Sequence, residues 1–162
     1  MDSGVEPVVS TDPGRLDLDL IHGFLSQTYW ARGIPRELVE RALRNSICFG
    51  LYEGERQVGF ARVVTDEATF AYLADVFVVE SHRGRGLAKI LIAAVVADPR
   101  LQGLRRWMLA TRDAHRLYAG FGFEPLADPR VFMQVHAPDV YATPGARIRE
   151  NDGFGPEGKG KA

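Results

Sequence analysis

The run Val78-Val79-Glu80-Ser81-His82-Arg83-Gly84-Arg85-Gly86-Leu87-Ala88-Lys89 carries the densest chemistry in the chain. An apolar stretch enters a turn with glycines two positions apart, and a helix-like run begins at once. Such a turn can aim several backbone N–H groups at a phosphate, where the helix dipole also favours negative charge. A tight structural turn is the bland alternative. The pattern is not a dinucleotide fingerprint, because the third glycine and a later acidic strand end are missing. Nor is it a P-loop, since no Gly-Lys-Ser/Thr follows.

Four other positions invite chemistry. Asp75 interrupts the apolar run Tyr72-Leu73-Ala74-Asp75-Val76-Phe77-Val78-Val79, and burying an unpaired carboxylate is costly. It therefore serves as a base, as a contact for an ammonium group, or as the structural partner of an arginine. Tyr118 is protonated at neutral pH and can donate a proton, or it packs beside Phe121 and Phe123. Tyr29 and Trp30 offer aromatic faces to a cation, or they cover a sheet. His22, His82, His115 and His136 lack metal-ligand spacing, and with Cys48 as the one cysteine neither a zinc site nor an internal disulfide is expected.

The elements that must position these residues alternate in period. Val8–Ser10 reads as a short strand, followed by the turn Thr11-Asp12-Pro13-Gly14. Asp17 or Asp19 caps a helix carrying Leu20, Ile21, Phe24, Leu25 and Thr28. Gly33-Ile34-Pro35 breaks it, and a second helix with Leu38, Val39, Ala42 and Leu43 runs to Asn45. Ile47–Tyr52, Gln57–Thr65 and Ala68–Val79 predict a three-strand antiparallel meander. A helix over Gly86–Ala97 follows the glycine turn and stops at Asp98-Pro99. Arg106–Ala110 reads as a strand, Arg112–Ala119 as a short helix and Val131–His136 as a last strand.

The bulk numbers set bounds. The 162 residues suit one domain with a real core. Lys+Arg number 20 against 21 Asp+Glu, for a net charge of −1, so nucleic acid and anionic membrane are not expected partners. No apolar run reaches the ~20 residues of a membrane span, and the N-terminus lacks a secretory pattern. The expectation is a cytoplasmic protein. Residues 137–162, with five Gly and three Pro, read as a partly disordered tail behind a domain spanning 1–136.

Taken together, Arg83-x-x-Gly86-x-Ala88 and Leu117-Tyr118-Ala119-Gly120-Phe121-Gly122-Phe123 closely resemble the two motifs of the GNAT superfamily of acetyl-CoA-dependent N-acetyltransferases. The order of elements matches over residues 8–136. The resemblance implies an α/β fold: a mixed, mostly antiparallel sheet flanked by helices and splayed near the glycine turn. It implies acetyl-CoA as co-substrate and no metal. Backbone groups of Arg83, Gly84, Arg85, Gly86, Leu87 and Ala88 would hold the pyrophosphate. Val76, Phe77 and Val78 would pair with the pantetheine arm, the amide of Phe77 or Val78 holding the oxyanion. Thr111, where many relatives carry Asn, is a further cofactor contact. Tyr118 would be the general acid, with Asp75 as base or amine contact and Tyr29 and Trp30 as acceptor wall. The implied activity is direct transfer of acetyl to a primary amine of a small molecule or peptide in a ternary complex. The rivals are a non-catalytic acyl-CoA-binding regulatory module and a protein or peptide acetyltransferase. A homodimer is carried as a partner expectation.

Overall fold

A computed structural model describes residues 4–142. Five strands form one sheet in the order β1-β2-β3-β4-β5, with β1 Pro7–Ser10, β2 Ile47–Glu53, β3 Arg56–Thr65, β4 Phe70–Val78 and β5 Arg106–Met108. β2, β3 and β4 pair antiparallel, as the three-strand meander predicts, β1 adds antiparallel to β2, and β5 joins β4 in parallel. Helices α1 Leu18–Leu25 and α2 Arg36–Arg44 cover one face, while α3 Leu87–Val96 and the short α4 His115–Ala119 cover the other.

Local chemistry explains the placement. Asp17, of the two candidate caps, accepts from Leu20 N at 3.0 Å, satisfying a donor that the first helical turn leaves open. The Asp17 N–H donates to the buried Gln57 Oε1 at 2.8 Å, and Gln57 Nε2 donates to Gly59 O at 3.0 Å. The start of α1 is thus tied to β3. Phe24 of α1 stacks on Phe77 of β4 with centroids 3.9 Å apart, so the same helix is also fixed to the strand that carries Asp75. On the opposite face Leu87, Leu91, Ile92 and Val95 of α3 pack on Leu51, Val63, Ala71 and Leu73.

Two features of the sheet create the site. First, β4 and β5 pair only over Phe70–Tyr72 against Arg106–Met108, so the rest of β4 diverges from its neighbour. Second, the β3–β4 register slips between Phe60/Phe77 and Arg62/Ala74, leaving a bulge at Asp75, whose φ is +56°. Such a bulge breaks the strict alternation of faces. Ala71 and Leu73 point to α3, whereas Phe77, of the same parity, points to α1 and Phe60.

The expected strand over Val131–His136 is not formed. Pro129–Val131 makes a 3-10 turn capped by Asp128, and among the described residues no ladder involves 132–142. The alternating pattern is present, yet Val131, Met133 and Val135 are 69, 98 and 75% exposed. A strand is stabilised by its ladder and by the surface its apolar row covers, and among the described residues that row stays exposed. The fourth helix begins at His115 rather than Arg112, because the Thr111 side chain accepts from Ala114 N at 3.1 Å and makes a turn there. Most of the Gly/Pro-rich tail, from residue 143, lies outside the described residues.

Candidate active site

The glycine turn behaves as its composition suggests. Gly84 and Gly86 have φ of +76° and +74°, and a Cβ on either would meet no protein atom within 4 Å. Backbone conformation, not crowding by the protein, therefore requires glycine. Gly86 is the N-cap of α3 with no side-chain cap, and the first helical bond is Ile90 N to Gly86 O at 3.4 Å. The N–H groups of Leu87, Ala88 and Lys89 are left without an intrahelical acceptor beside open space. Leu87 itself is buried and anchors the turn to the core. Arg83 Nε–H donates to Val78 O at 3.2 Å, and Arg85 Nη2 donates to Glu53 Oε1 at 2.6 Å.

The ladder decides which strand amides face the split. Val79 N donates to Val58 O at 2.9 Å, so Val79 is turned toward β3. Alternation then turns Val78 away from β3 and Phe77 toward it. The Phe77 carbonyl accordingly sits 3.1 Å from where a Cβ on Gly59 would be. Val78 and Val76 offer N–H groups to the split, and Phe77 contributes its buried ring.

A cavity of about 700 Å³ opens beside this edge, lined among others by Tyr29, Trp30, Arg62, Asp75, Thr111 and Tyr118. A second cavity of about 350 Å³ shares Leu109, Ala110, Thr111 and Tyr118 with it, so Tyr118 stands where the two meet. Burial of Tyr118 pushes its phenol pKa above the usual value of 10.0. Its ring packs edge-on against Phe123, and its hydroxyl makes no hydrogen bond among the described residues. A third cavity of about 620 Å³, between Val96, Trp107 and the 121–132 segment, contains none of the candidate residues.

Asp75 is held from both sides. Trp30 Nε1–H donates to Oδ1 at 2.9 Å, and Arg62 Nε–H donates to Oδ2 at 2.8 Å. The Arg62 and Asp75 side chains are 19 and 12% exposed, and Arg62 Nη1 also reaches Ser46 Oγ at 3.1 Å. The third option open from sequence, pairing with an arginine, is therefore present in the geometry. Each carboxylate oxygen still keeps a lone pair for another donor. Tyr29 meets Trp30 edge-on at 5.0 Å and carries the Arg112 guanidinium 3.6 Å above its ring. Cys48 is buried, and burial pushes its thiol up to about 11, which suits a core residue and no nucleophile.

Sequence reasoning missed Arg62, Arg112 and Tyr141, all of which line the large cavity. Arg62 had a readable signal: it interrupts Phe60-Ala61-Arg62-Val63-Val64 as Asp75 interrupts the next strand, and opposite charges on neighbouring strands pair. Tyr141 had none, because its segment lacks periodicity. Among the described residues no cluster of His, Cys, Asp and Glu could hold a metal ion, and no helix is long and apolar enough to cross a membrane.

Known proteins share this chain's fold and family. Residues 18–123 match the acetyltransferase (GNAT) family. A crystal structure of a GNAT-family protein from Xanthomonas campestris pv. campestris is 55% identical, with a TM-score of 0.83, covering 85% of this chain and 98% of that one. A Gibberella zeae protein named as a candidate acetyltransferase is 37% identical over 134 residues, 68% of this chain and 75% of the relative. Diaminobutyrate acetyltransferase from Paenibacillus lautus, solved with L-2,4-diaminobutyric acid and coenzyme A, shares the fold at 18% identity and a TM-score of 0.59, covering 73% of this chain and 75% of that one.

Proposed function

The chain belongs to the acetyltransferase (GNAT) family, and from that premise we propose that it transfers acetyl from acetyl-CoA to a primary amine by direct attack in a ternary complex. The observation that carries this reading is a helix N-terminus at Gly86 that no side chain caps, close in sequence behind a β4 whose pairing with β5 ends at Tyr72, beside a cavity lined by Val76, Thr111 and Tyr118. A diphosphate fits the first and an extended pantetheine arm the second, the arm adding to the free edge of β4 as a peptide strand would.

In this reading the N–H groups from Gly84 to Ala88 anchor the diphosphate and Arg83 adds charge. Thr111, whose oxygen already accepts from Ala114 N, has its O–H left to donate to the arm. The Val78 N–H, facing the split, holds the thioester carbonyl and the oxyanion that forms on it. The amine nitrogen attacks the carbonyl carbon, the C–S bond breaks, the Tyr118 O–H delivers its proton to the departing thiolate, and the proton that the new amide nitrogen sheds returns through water to restore the Tyr118 phenol. A phenol pKa above 10.0 keeps that proton in place over the working range. The kcat profile is therefore expected to show no falling limb from this group below pH ~10, as a pH titration of initial rates checks.

Asp75 orients the amine. Its oxygens are already engaged by Trp30 and Arg62, so it presents its remaining lone pairs to the ammonium N–H groups, and water carries the proton away before attack. Asp75→Asn is expected to lower kcat/KM for the amine by about 10–100-fold, the worth of one charged hydrogen bond, and to leave the affinity for acetyl-CoA unchanged. It also leaves Arg62 without its carboxylate, at a cost of about 1–3 kcal/mol of stability. Steady-state kinetics in both substrates and a thermal melt separate the two effects.

Tyr29, Trp30 and Asp75 line the same cavity, and aromatic faces beside a carboxylate suit a small cationic amine. A thiol-release assay with acetyl-CoA against amines, polyamines, aminoglycosides, amino acids and peptides tests the function. Release with a small amine is the expected result, and coenzyme binding without release across the panel would favour the regulatory module.

A further inference from the structure

The carboxylate of Glu53 lies at the end of β2, far in sequence from the glycine turn, and is not among the residues assigned above. Its side chain is 8% exposed, unusual for a glutamate at a hairpin end. The reason is visible in its partners. Oε1 accepts from Arg85 Nη2 at 2.6 Å and Oε2 lies 3.2 Å from His82 Nε2. His82 is itself oriented by Ser81 Oγ, 2.7 Å from Nδ1. His82 stands before the first glycine and Arg85 between the two, so one carboxylate grips both flanks of the turn.

That grip adds to two other ties on the turn, the buried Leu87 and the Arg83 Nε–H bond to Val78 O at 3.2 Å, and it is the one that joins the turn to β2. Two of its residues, Gly84 and Gly86, have left-handed conformations that glycine leaves readily. The backbone bonds entering it are His82 N to Val79 O at 2.9 Å and Arg83 N to Glu80 O at 3.3 Å, and the next one is Ile90 N to Gly86 O at 3.4 Å. A site built from backbone N–H groups binds tightly only if they already converge before the ligand arrives.

We infer that Glu53 is a positioning residue for the diphosphate turn: it joins His82 and Arg85 to β2, holds the N–H groups in register and raises coenzyme affinity without contacting the coenzyme. The inference rests on the diphosphate reading given above. It separates the turn, which Glu53 braces, from the pantetheine split, which it does not.

The test uses the full chain and needs no acceptor. Coenzyme A affinity is measured by calorimetry, and that of S-acetylpantetheine, which lacks the diphosphate, by NMR titration at millimolar concentration. For Glu53→Gln the expected result is coenzyme A binding weakened about tenfold with S-acetylpantetheine unchanged. Equal weakening of both ligands would mean a general structural role and would overturn the inference. So would unchanged coenzyme A binding, or tighter binding, which would mean that Glu53 only masks the charge of Arg85. If Glu53→Gln does not fold, His82→Gln removes one arm of the grip from the turn side. It is expected to weaken coenzyme A about threefold with S-acetylpantetheine again unchanged, and the same contrary outcomes apply. Gly86→Glu separates the two layers. If that variant keeps normal coenzyme A affinity, the diphosphate reading itself falls. If it loses affinity while Glu53→Gln does not, only the role of Glu53 falls.

Discussion

Gly86→Glu is expected to weaken acetyl-CoA binding by at least about 10²-fold while the protein stays folded. The folded chain tolerates the change because a Cβ at Gly86 meets nothing within 4 Å, leaving the left-handed conformation as the main cost, about 1–2 kcal/mol. The ligand does not tolerate it. The new side chain projects from the helix N-cap into the space where the diphosphate would lie and brings a negative charge to it. Gly86→Ala, with no charge and one carbon, should cost far less. Calorimetry on the two variants, with a melt to show that both are folded, gives the comparison. Similar losses for Ala and Glu would mean that strain in the turn, and not occupation of the ligand's space, sets the effect.

Tyr118→Phe is expected to lower kcat by roughly 10–10³-fold with acetyl-CoA affinity nearly unchanged, as loss of a general acid predicts. The effect lies toward the modest end of such losses because a thiolate is already a fair leaving group, with a thiol pKa of about 8.5. The buried ring, packed against Phe123, keeps its packing in phenylalanine, and among the described residues the hydroxyl has no hydrogen-bond partner to strand. Folding should therefore be unaffected, and the loss should appear in kcat alone. A drop in acetyl-CoA affinity with kcat intact would turn Tyr118 into a binding residue.

Much of this site could be read from residue types and spacing. The glycine turn, the helix after it, the meander before it and Tyr118 on a short helix all follow from local rules: φ above zero at two glycines, period-2 strands, and a 3.6-residue stripe from Leu87 to Val95. The structure adds what local rules do not contain. That Asp75 sits in a bulge, and that Val78 rather than Phe77 turns its N–H to the split, depends on the β3–β4 register, which no single strand encodes. The Asp75–Arg62 pair and the Glu53 grip join residues 13 and more than 25 positions apart, and only the sheet order brings them together. The segment after Pro129 shows the opposite case. Its alternation of apolar residues is a sound strand pattern, but a pattern states only what a segment can pair with, and among the described residues no neighbouring strand receives it.

In the proposed reading the turn and the split are separate anchors, one for the charged end of the coenzyme and one for its arm, and both place the thioester carbonyl. Damage to the turn should therefore appear as lost affinity, and damage near Tyr118 or Asp75 as lost turnover or a changed amine KM. The variants above test that division of labour from both ends.

The most direct measurement is a crystal structure of the full chain with coenzyme A bound. The diphosphate should lie within hydrogen-bond distance of backbone N–H groups between Gly84 and Ala88, with the pantetheine arm along β4 and its sulfur near the Tyr118 hydroxyl. A coenzyme seated elsewhere, with the turn between Gly84 and Gly86 closed on its own side chains, would contradict the account.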